Sequence, residues 1–411
     1  MQQERADRGA HSAKDGAHER QKPAARRGSH RARHRRRSLP SAVALVQQHG
    51  QILLHRAFGA APGGAATIFD LASLTKVVAC LPSILILLEA GALSLDEPVA
   101  QFIPEFVGPD AAADRRAVLL RHLLTHSSGL PAWLPLYHDC RTAEATIARI
   151  CATPLEAPPG TRVSYSDLGF ILLGEIVRRA SGLPIDQFAR ERIFAPLGMN
   201  DTGYQPAPAL LARIAPTEAG ERYEAAMAAA HNARHPQQRT GIIRGIVHDG
   251  NANYALGGIS GHAGLFATAA DLARYTQFWL NGGALDGIRL LSRATIAAAP
   301  RDQTAALNLG RTLGWVAFDP DPIGRRARWL ASDGDPDLTT GGGPTSGGEL
   351  LGAGAYGHTG FTGTSLWLVP AHHLAIILLT NRVHPDAANP GIARVRARFH
   401  NTVLAAVTSN E

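Results

Sequence analysis

Segments typical of β-strands lie at the two ends of this 411-residue chain, and segments typical of helices fill its middle. Near the N-terminus, the apolar runs 41–46 and 51–58 are joined by Gln-Gln-His-Gly, which predicts a β-hairpin with Gly50 in the turn. Near the C-terminus, strands are predicted at 356–362, 365–369 and 374–380. Because strands at both ends need partners, the chain is expected to close into one sheet built from its two ends.

Apolar periodicity and capping residues predict the helices between these ends. The predicted helices cover 73–90, 116–125, 142–152, 166–180, 184–197 and 268–280, and a terminal helix covers 390–407. The predicted fold class is therefore α/β (α+β): an antiparallel sheet formed from both chain ends with flanking helices, and a mostly helical lobe, about 80–270, inserted into it. The segment 206–250 has no clear pattern, and the glycine-dense segment 331–357 is expected to be a mobile loop.

The positive charge of the chain is concentrated in its first 40 residues. The whole sequence carries 41 basic and 34 acidic side chains, and residues 1–40 hold 12 and 4 of them, which leaves 29 and 30 for 41–411. Residues 1–40 are therefore interpreted as a disordered basic tail or a mis-called start, and 41–411 as the folded domain. Nucleic-acid binding is not expected, since it would depend on the tail alone.

Composition also bears on the compartment and on membranes. The three cysteines form neither a CxxC pair nor a zinc pattern, and the start of the chain lacks a secretory signal. The longest apolar stretch, 77–88, is broken by Pro82 and is too short to span a bilayer, so no transmembrane segment is expected. These features favour a cytoplasmic protein, or a periplasmic one if the start is wrong.

Lysine use points to one position. Residues 41–411 contain 28 arginines but a single lysine, Lys76. Arginine can replace lysine as a surface charge but cannot act as a base, so the lone lysine indicates a need for an amine. Ser73 precedes it by three residues at the start of the predicted buried helix, which places both side chains on one face. A buried amine of lowered pKa could take the serine proton; the alternative is a capping serine and a surface lysine.

Two further groups could carry chemistry. Tyr165-Ser166-Asp167 opens a predicted helix, and a tyrosine near two cations can become a phenolate base; the alternative is a core tyrosine beside a helix cap. His358-Thr359-Gly360 lies on a predicted strand, where the glycine would let a ligand approach the backbone; the alternative is an ordinary glycine-containing edge strand.

Taken together and in this order, the three motifs resemble those of the serine β-lactamase and penicillin-binding-protein superfamily. The resemblance is greatest to the branch of class C β-lactamases, D-alanyl-D-alanine carboxypeptidases and related esterases. It covers about residues 41–405. Supporting segments are 122–131 (HLLTHSSGLP), Pro159-Gly160 and 257–265 (GGISGHAGL).

The resemblance implies a role for each motif residue. Ser73 would be the acylated nucleophile, and Lys76 and Tyr165 would share the general-base and general-acid steps. The backbone N–H groups of Ser73 and Phe361 would form the oxyanion hole, where one donor is worth about 3 kcal/mol. The substrate would be contacted by Asp167, His358, Thr359 and Gly360.

Two departures from the family pattern affect the expected substrate. Asp167 stands where asparagine is common, and it can only accept hydrogen bonds or hold Lys76 protonated. His358 stands where class C β-lactamases usually have lysine, and a neutral histidine binds a carboxylate less well. Both changes favour a serine hydrolase of small carboxylic esters. The alternatives are a D-alanyl-D-alanine carboxypeptidase or class C-like β-lactamase, and a catalytically silent binding relative.

Other residue groups indicate less. His122 and His126 lack a carboxylate in a metalloprotease arrangement, so no metal is expected and they are interpreted as capping and packing the helix. His248-Asp249 and His262 accompany no G-x-S-x-G serine and are interpreted as structural. The expected partner is a small ester or amide substrate, with no cofactor; the sequence does not determine the oligomeric state.

Overall fold

A six-stranded antiparallel sheet joins the two ends of the chain. The structure is a computed structural model that describes residues 39–107, 113–233, 238–318, 347–388 and 391–409. The sheet has the strand order β2-β1-β11-β10-β9-β8, so the first and last long strands are neighbours. The strands are β1 Ser41–Gln48, β2 Gln51–Gly59, β3 Phe69–Asp70, β4 Gly203–Tyr204, β5 Leu265–Ala267, β6 Ala284–Leu285, β7 Ile288–Arg289, β8 Val316–Ala317, β9 Tyr356–Thr359, β10 Ser365–Val369 and β11 Leu374–Thr380. This arrangement confirms the predicted fold class.

The predicted N-terminal hairpin is present. β1 and β2 are joined by the two residues His49 and Gly50, both with positive φ (48° and 81°), as a two-residue hairpin turn of this type requires. β1 also pairs along its length with β11, from Ala42 opposite Thr380 to Gln48 opposite Leu374. β1 is thus held on both sides by antiparallel partners.

The sheet is covered on both faces, which explains why its central strands are apolar throughout. Alternate side chains of a strand point to opposite faces. Val43 and Leu45 face the main core, to which helix Ala269–Leu280 contributes. Ala42 and Ala44 face the terminal helix Ile392–Thr408. Because both faces of the sheet are buried, the central strands do not alternate between apolar and polar residues.

Eleven α-helices are described. They are α1 Leu81–Glu89, α2 Ala113–Arg116, α3 Leu120–Leu124, α4 Leu136–Asp139, α5 Ala143–Cys151, α6 Asp167–Ser181, α7 Ile185–Ala189, α8 Arg222–Ala230, α9 Ala269–Leu280, α10 Arg293–Ala298 and α11 Ile392–Thr408. α5 and α6 are capped by side chains that accept backbone N–H groups: Thr142 accepts from Ala145, and Ser166 accepts from Gly169. Gly182, at φ 77°, ends α6.

Three predicted boundaries were wrong. The helix predicted at 116–125 is two short helices, because Leu119 leaves helical geometry to bridge Pro98. The helix predicted at 184–197 is α7 followed by a π-helical turn, Arg190–Phe194. The strand predicted at 356–362 ends at Thr359, where the chain turns.

The unassigned segment 206–250 contains short elements. It forms a 3₁₀ turn, Pro208–Arg213, and then α8. The terminal helix starts at Ile392, while the predicted start at Pro390 lies outside the described residues. Much of the predicted mobile loop 331–357 lies outside them as well, as does nearly all of the basic tail 1–40.

The predicted helix 73–90 is a composite of three helical geometries. A 3₁₀ turn, Ala72–Leu74, leads into a π-helical turn, Lys76–Cys80, and then into α1. Among the described residues, one helical stretch, Ala72–Glu89, is long and apolar enough to cross a bilayer, but 83% of it is buried inside the protein, as in a core helix. Its burial places the first turn between the sheet and the helical part of the chain.

Candidate active site

Ser73 lies in a turn whose backbone is held from both sides. Ala72 has a positive φ of 47°, unusual for a residue with a side chain. The buried carboxylate of Asp70 accepts the Ala72 N–H at 2.9 Å and the His248 N–H at 2.7 Å. Burial is the largest influence on the pKa of Asp70 and raises it. Asp70 therefore fixes the turn that presents Ser73, a role that the sequence did not indicate.

Lys76 is fully buried and donates to three acceptors. Its Nζ lies 3.0 Å from Ser73 Oγ, 2.6 Å from Asp167 Oδ1 and 3.2 Å from the carbonyl of His262. An ammonium has three N–H donors, and each has an acceptor here. The predicted proximity of Ser73 and Lys76 is present in the structure.

The charge state of Lys76 differs from the expected one. Burial, the largest influence, acts to lower its pKa, but the Asp167 carboxylate acts to raise it through its charge and its hydrogen bond, and the net effect is a raised pKa. The lone lysine is therefore an ammonium in the resting protein, and not the free amine that its apolar surroundings indicated. Of the two effects predicted for Asp167, the structure supports the second, in which it holds Lys76 protonated.

Tyr165 lies at the centre of a group of cations and imidazoles. Lys76 Nζ is 4.8 Å from the centre of its ring, and the Arg311 guanidinium carbon is 5.3 Å away. The ring centres of His126 and His358 lie 4.4 and 6.0 Å from the ring centre of Tyr165. The buried hydroxyl is close enough to Lys76 and Ser73 to interact with both, although no hydrogen bond of good geometry joins them.

The environment of Tyr165 keeps its phenol protonated at rest. Burial, the largest influence, raises its pKa, Lys76 lowers it, and the carboxylate of Asp167 raises it. The net effect is a raised pKa. Tyr165 can therefore act as a base only if positive charge near it offsets the cost of burying a phenolate.

Both histidines beside Tyr165 are neutral. His126 Nδ1 accepts the Ser166 N–H at 3.0 Å, and His358 Nδ1 donates to the Thr359 carbonyl at 2.8 Å, since a carbonyl can only accept. Burial, then the charge of Arg311, then that of Lys76, hold the pKa of each histidine well below its usual value. The expected neutrality of His358 thus has a strong physical cause.

The end of β9 is buried, and two of its side-chain atoms have no partner among the described residues. His358 and Thr359 are both 0% exposed. His358 Nε2 and Thr359 Oγ1 make no hydrogen bond to any described residue. A buried polar atom without a partner is costly, so such atoms are rare outside functional sites.

The structure shows a packing role for Gly360 that the sequence did not indicate. A Cβ at this position would lie closer than 3.0 Å to Thr364 Oγ1 and to the Leu71 carbonyl. The glycine therefore allows the turn after β9 to approach the segment before Ser73, and not only a ligand. Thr362 Oγ1 donates to the Asp70 carbonyl at 2.7 Å and Thr364 Oγ1 to Leu71 at 3.0 Å, which join the two segments.

The predicted oxyanion-hole donors lie on these two joined segments. Ser73 is in the first turn of its helix, where an N–H has no intrahelical acceptor. The Phe361 N–H donates to no described residue. Arg382 contacts Phe361 in two ways. Its Nε donates to the Phe361 carbonyl at 2.7 Å, and its guanidinium carbon lies 4.3 Å from the centre of the Phe361 ring.

A second network supports Lys76 through the His262 carbonyl. The His262 ring lies 2.7 Å from Ser260 Oγ and 3.0 Å from Asp249 Oδ1. Although burial acts to raise it, His262 lowers the pKa of Asp249 to about 2. The geometry agrees with the structural role that the sequence indicated for these residues.

The same network contains the ligand types of a metal site. One ligand atom from each of Asp167, Asp249 and His262 lies within 4.8 Å of the others. However, Lys76 already donates to Asp167, and both ring nitrogens of His262 have hydrogen-bond partners. These potential ligand atoms are thus already used in hydrogen bonds within the protein, and the Lys76 ammonium would repel a metal cation.

Comparison with known proteins gives a consistent result. A family model described as Beta-lactamase matches residues 17–400. The chain is 32% identical over 379 residues to an Escherichia coli (strain K12) protein named "Putative D-alanyl-D-alanine carboxypeptidase", covering 85% of this chain and 80% of the relative.

Solved structures share the fold. A penicillin-binding protein homologue from Caulobacter crescentus has a TM-score of 0.60 at 23% identity, covering 87% of this chain and 92% of its own. A family VIII carboxylesterase also has a TM-score of 0.60, at 20% identity, covering 88% and 92%. At these identities the likeness to the two structures concerns the fold alone.

Proposed function

The chain belongs to the β-lactamase family and is a serine hydrolase, and from this premise we propose that it hydrolyses small carboxylic esters through an acyl-enzyme on Ser73. The observation that carries the proposal is the contact of Ser73 Oγ with the buried Lys76 ammonium, 3.0 Å away and beside Tyr165. A hydroxyl becomes a useful nucleophile only when a neighbouring base removes its proton.

The proton transfers can be assigned to Tyr165. Because Lys76 is already protonated, the Ser73 proton passes to the phenolate form of Tyr165 as Ser73 Oγ bonds to the ester carbonyl carbon. The resulting phenol then protonates the leaving alcohol as the ester C–O bond breaks. In the second half, the phenolate takes a proton from water, hydroxide attacks the acyl carbon, and Ser73 recovers its proton from Tyr165. Lys76 stabilises the negative charge on both oxygens throughout.

The oxyanion of the tetrahedral intermediate is assigned to the Ser73 and Phe361 N–H groups. The two hydrogen bonds from Thr362 and Thr364 to the segment before Ser73 support this assignment, because they hold the two donors on one rigid unit. Donors that do not reorganise during the reaction contribute most to the rate.

Two features support an ester over an amide. The phenolate is a minor form, because burial raises the pKa of Tyr165. An alcohol leaving group needs less help from proton transfer than an amine does. A small population of the Tyr165 phenolate therefore slows amide cleavage more than ester cleavage. In addition, Asp167 has no N–H with which to bind a substrate carbonyl.

D-alanyl-D-alanine carboxypeptidase activity is the second candidate. It is favoured by the relative with 32% identity, whose name gives that activity. His358 Nε2 and Thr359 Oγ1, which have no partner in the described part of the chain, could bind groups of either substrate class, so they do not separate the candidates.

A fluorophosphonate probe tests the mechanism. The wild-type chain should be labelled at Ser73, identified by peptide mass spectrometry, and Ser73→Ala should not be labelled. Ser83→Ala is the matched control, since Ser83 is a buried serine in α1 whose hydroxyl bonds only to the helix carbonyl of Ala79. Equal labelling of wild type and Ser73→Ala would contradict the mechanism and show that another residue reacts. No labelling of either would contradict it and favour a binding role.

Substrate assays then separate the candidates. We expect turnover of nitrophenyl acetate and butyrate without turnover of a chromogenic cephalosporin or release of D-alanine from D-alanyl-D-alanine peptides. Preferential release of D-alanine would establish the second candidate, and cephalosporin turnover would indicate a β-lactamase.

A further inference from the structure

Tyr165 needs positive charge nearby to become a phenolate, and of its two expected neighbours, Lys76 and His358, only Lys76 carries a charge. The charge of Lys76 is shared with Asp167, 2.6 Å away, and Asp167 itself acts to raise the pKa of Tyr165. His358, which stands where class C β-lactamases usually have lysine, is neutral and fully buried. Because Asp167 offsets part of the effect of Lys76, a further cation from another part of the chain would favour the base form of Tyr165.

Arg311 is located where such a cation would act. Its side chain is buried, with the residue only 3% exposed, and its guanidinium carbon lies 5.3 Å from the centre of the Tyr165 ring. Burial lowers the pKa of Arg311 to about 10, while Tyr165 acts to raise it, so the guanidinium remains charged at neutral pH. After burial, its charge is the largest influence on the pKa of both His126 and His358.

The charged and titratable groups facing Tyr165 come from five segments of the chain. They are Lys76 from the π-helical turn, Asp167 from α6, His126 from the turn after α3, His358 from β9 and Arg311 from the segment before β8. Lys76 and Asp167 form an ion pair, and neither histidine carries a charge. Within this set, Arg311 adds the second positive charge beside the ring.

We propose that Arg311 is a positioning residue that supplies the positive charge needed for Tyr165 to act as the phenolate base toward Ser73. The proposal rests on the proposed function, because it concerns the base of the same acyl transfer. Arg311 itself exchanges no proton: the phenol proton leaves to solvent before the first turnover, and the phenolate then accepts the Ser73 proton and returns it. Arg311 lowers the cost of the negative charge between these transfers.

The backbone at Arg311 is fixed independently of its side chain, which makes substitution practical. The Arg311 N–H donates to Thr304 Oγ1 at 2.7 Å, and its carbonyl accepts the Gln303 N–H at 2.7 Å. Arg311→Met keeps an unbranched side chain of similar length without the charge. Replacing a buried charge by an apolar group of similar volume is often neutral for stability.

The test is the pH dependence of the rate at which a fluorophosphonate labels Ser73. An opposite charge at this distance shifts a pKa by about 1–3 units. Arg311→Met should therefore move the rising limb of the rate to higher pH by about 1–2 units, with a ~10- to 100-fold lower rate at pH 7 that recovers at high pH. Arg311→Lys should keep the limb near its wild-type position.

Two comparisons exclude a purely structural effect. Arg115 is also a buried arginine packed over an aromatic ring, 4.9 Å from Phe106, but not near Tyr165, so Arg115→Met should leave the limb in place. In a Tyr165→Phe background, Arg311→Met should cause no further change in rate at any pH.

The outcomes distinguish this proposal from the proposed function. If the wild type is labelled but Arg311→Met does not shift the rising limb of the labelling rate, only the role of Arg311 is overturned, and the proposed function stands. That role is equally overturned if Arg311→Lys shifts the limb as far as Arg311→Met, or if Arg311→Met slows the Tyr165→Phe variant. Labelling without ester hydrolysis would overturn the substrate and leave the role of Arg311 standing.

Discussion

At the scale of single residues, the site is determined by which charges lie within about 5 Å of Ser73 and Tyr165. The sequence identified Ser73, Lys76, Tyr165 and Asp167 through motif order and the lone lysine. It could not predict that Lys76 would be an ammonium, because Asp167 lies 91 residues away and their separation depends on the tertiary fold. Arg311 gave no signal at all, since it is one of 28 arginines in 41–411.

Asp167→Asn tests the pairing of Lys76. Without the carboxylate, the buried ammonium loses its partner, and breaking a buried pair costs about 3–5 kcal/mol. We expect a loss of this size in the free energy of unfolding at pH 7, measured by urea denaturation. Because Asp167 raises the pKa of Tyr165, the rising limb of the labelling rate should also move to lower pH. An unchanged stability and limb would contradict the ion pair.

Glu224 predicts a pH-dependent stability. It is 5% exposed and accepts hydrogen bonds from Tyr137 Oη at 3.0 Å and from the Gly250 N–H at 3.0 Å. Burial, with the nearby Asp249, raises its pKa from 4.5 to about 7. Between these pH values the folded state binds the proton more strongly than the unfolded state, so the contribution of Glu224 to stability falls as pH rises from 4.5 to 7.

Glu224→Gln removes this dependence. The stability of wild type relative to Glu224→Gln should fall by about 1.4 kcal/mol per pH unit within that range, and level off above pH 7. Urea denaturation of both proteins at pH 5, 6, 7 and 8 measures the difference. A constant difference across the four pH values would show that the carboxyl does not titrate there.

At the scale of elements, the site depends on a close contact between the turn after β9 and the turn before Ser73. The sequence predicted both elements but not their contact, because a glycine in a strand motif has several explanations. It also predicted one regular helix at 73–90, where the structure has 3₁₀, π and α geometry in succession. Apolar periodicity does not distinguish these geometries when every face is buried.

Gly360→Ala tests that contact. The added Cβ would overlap the Leu71 carbonyl and Thr364 Oγ1, so the two turns must separate. We expect a fall in melting temperature of at least several degrees and a ~10²-fold or larger loss of nitrophenyl ester hydrolysis, because the oxyanion donors move apart. Gly352→Ala is the control, since a Cβ there meets nothing within 4 Å. Equal effects of the two substitutions would argue against a specific contact.

At the scale of the whole molecule, the sheet from both chain ends was predictable and the route of the chain between them was only partly so. Strand-like segments at both ends leave few ways to satisfy their hydrogen bonds, and the structure pairs β1 with β11 as expected. In contrast, the described residues of the segment 206–250 form short turns and one short helix, whose lengths are too small for a periodic signal.

The basic tail should be dispensable for catalysis. Every residue assigned to the site lies between 70 and 382, and the described fold starts at residue 39. Deletion of residues 1–38 retains Pro40, whose carbonyl accepts the Ala60 N–H at 2.9 Å. We expect unchanged nitrophenyl ester hydrolysis, within about twofold, together with loss of retention on a cation-exchange resin. A marked loss of hydrolysis would assign the tail a part in the site.

The pairing of β1 with β11 has a consequence for synthesis. The nucleophile is translated long before the turn that carries Phe361 and before β11, the strand that holds β1 in place. A nascent chain therefore contains Ser73 long before it has an oxyanion hole. Hydrolytic activity should arise only after β11 has left the ribosome, and products terminated before it should carry the serine without being able to use it.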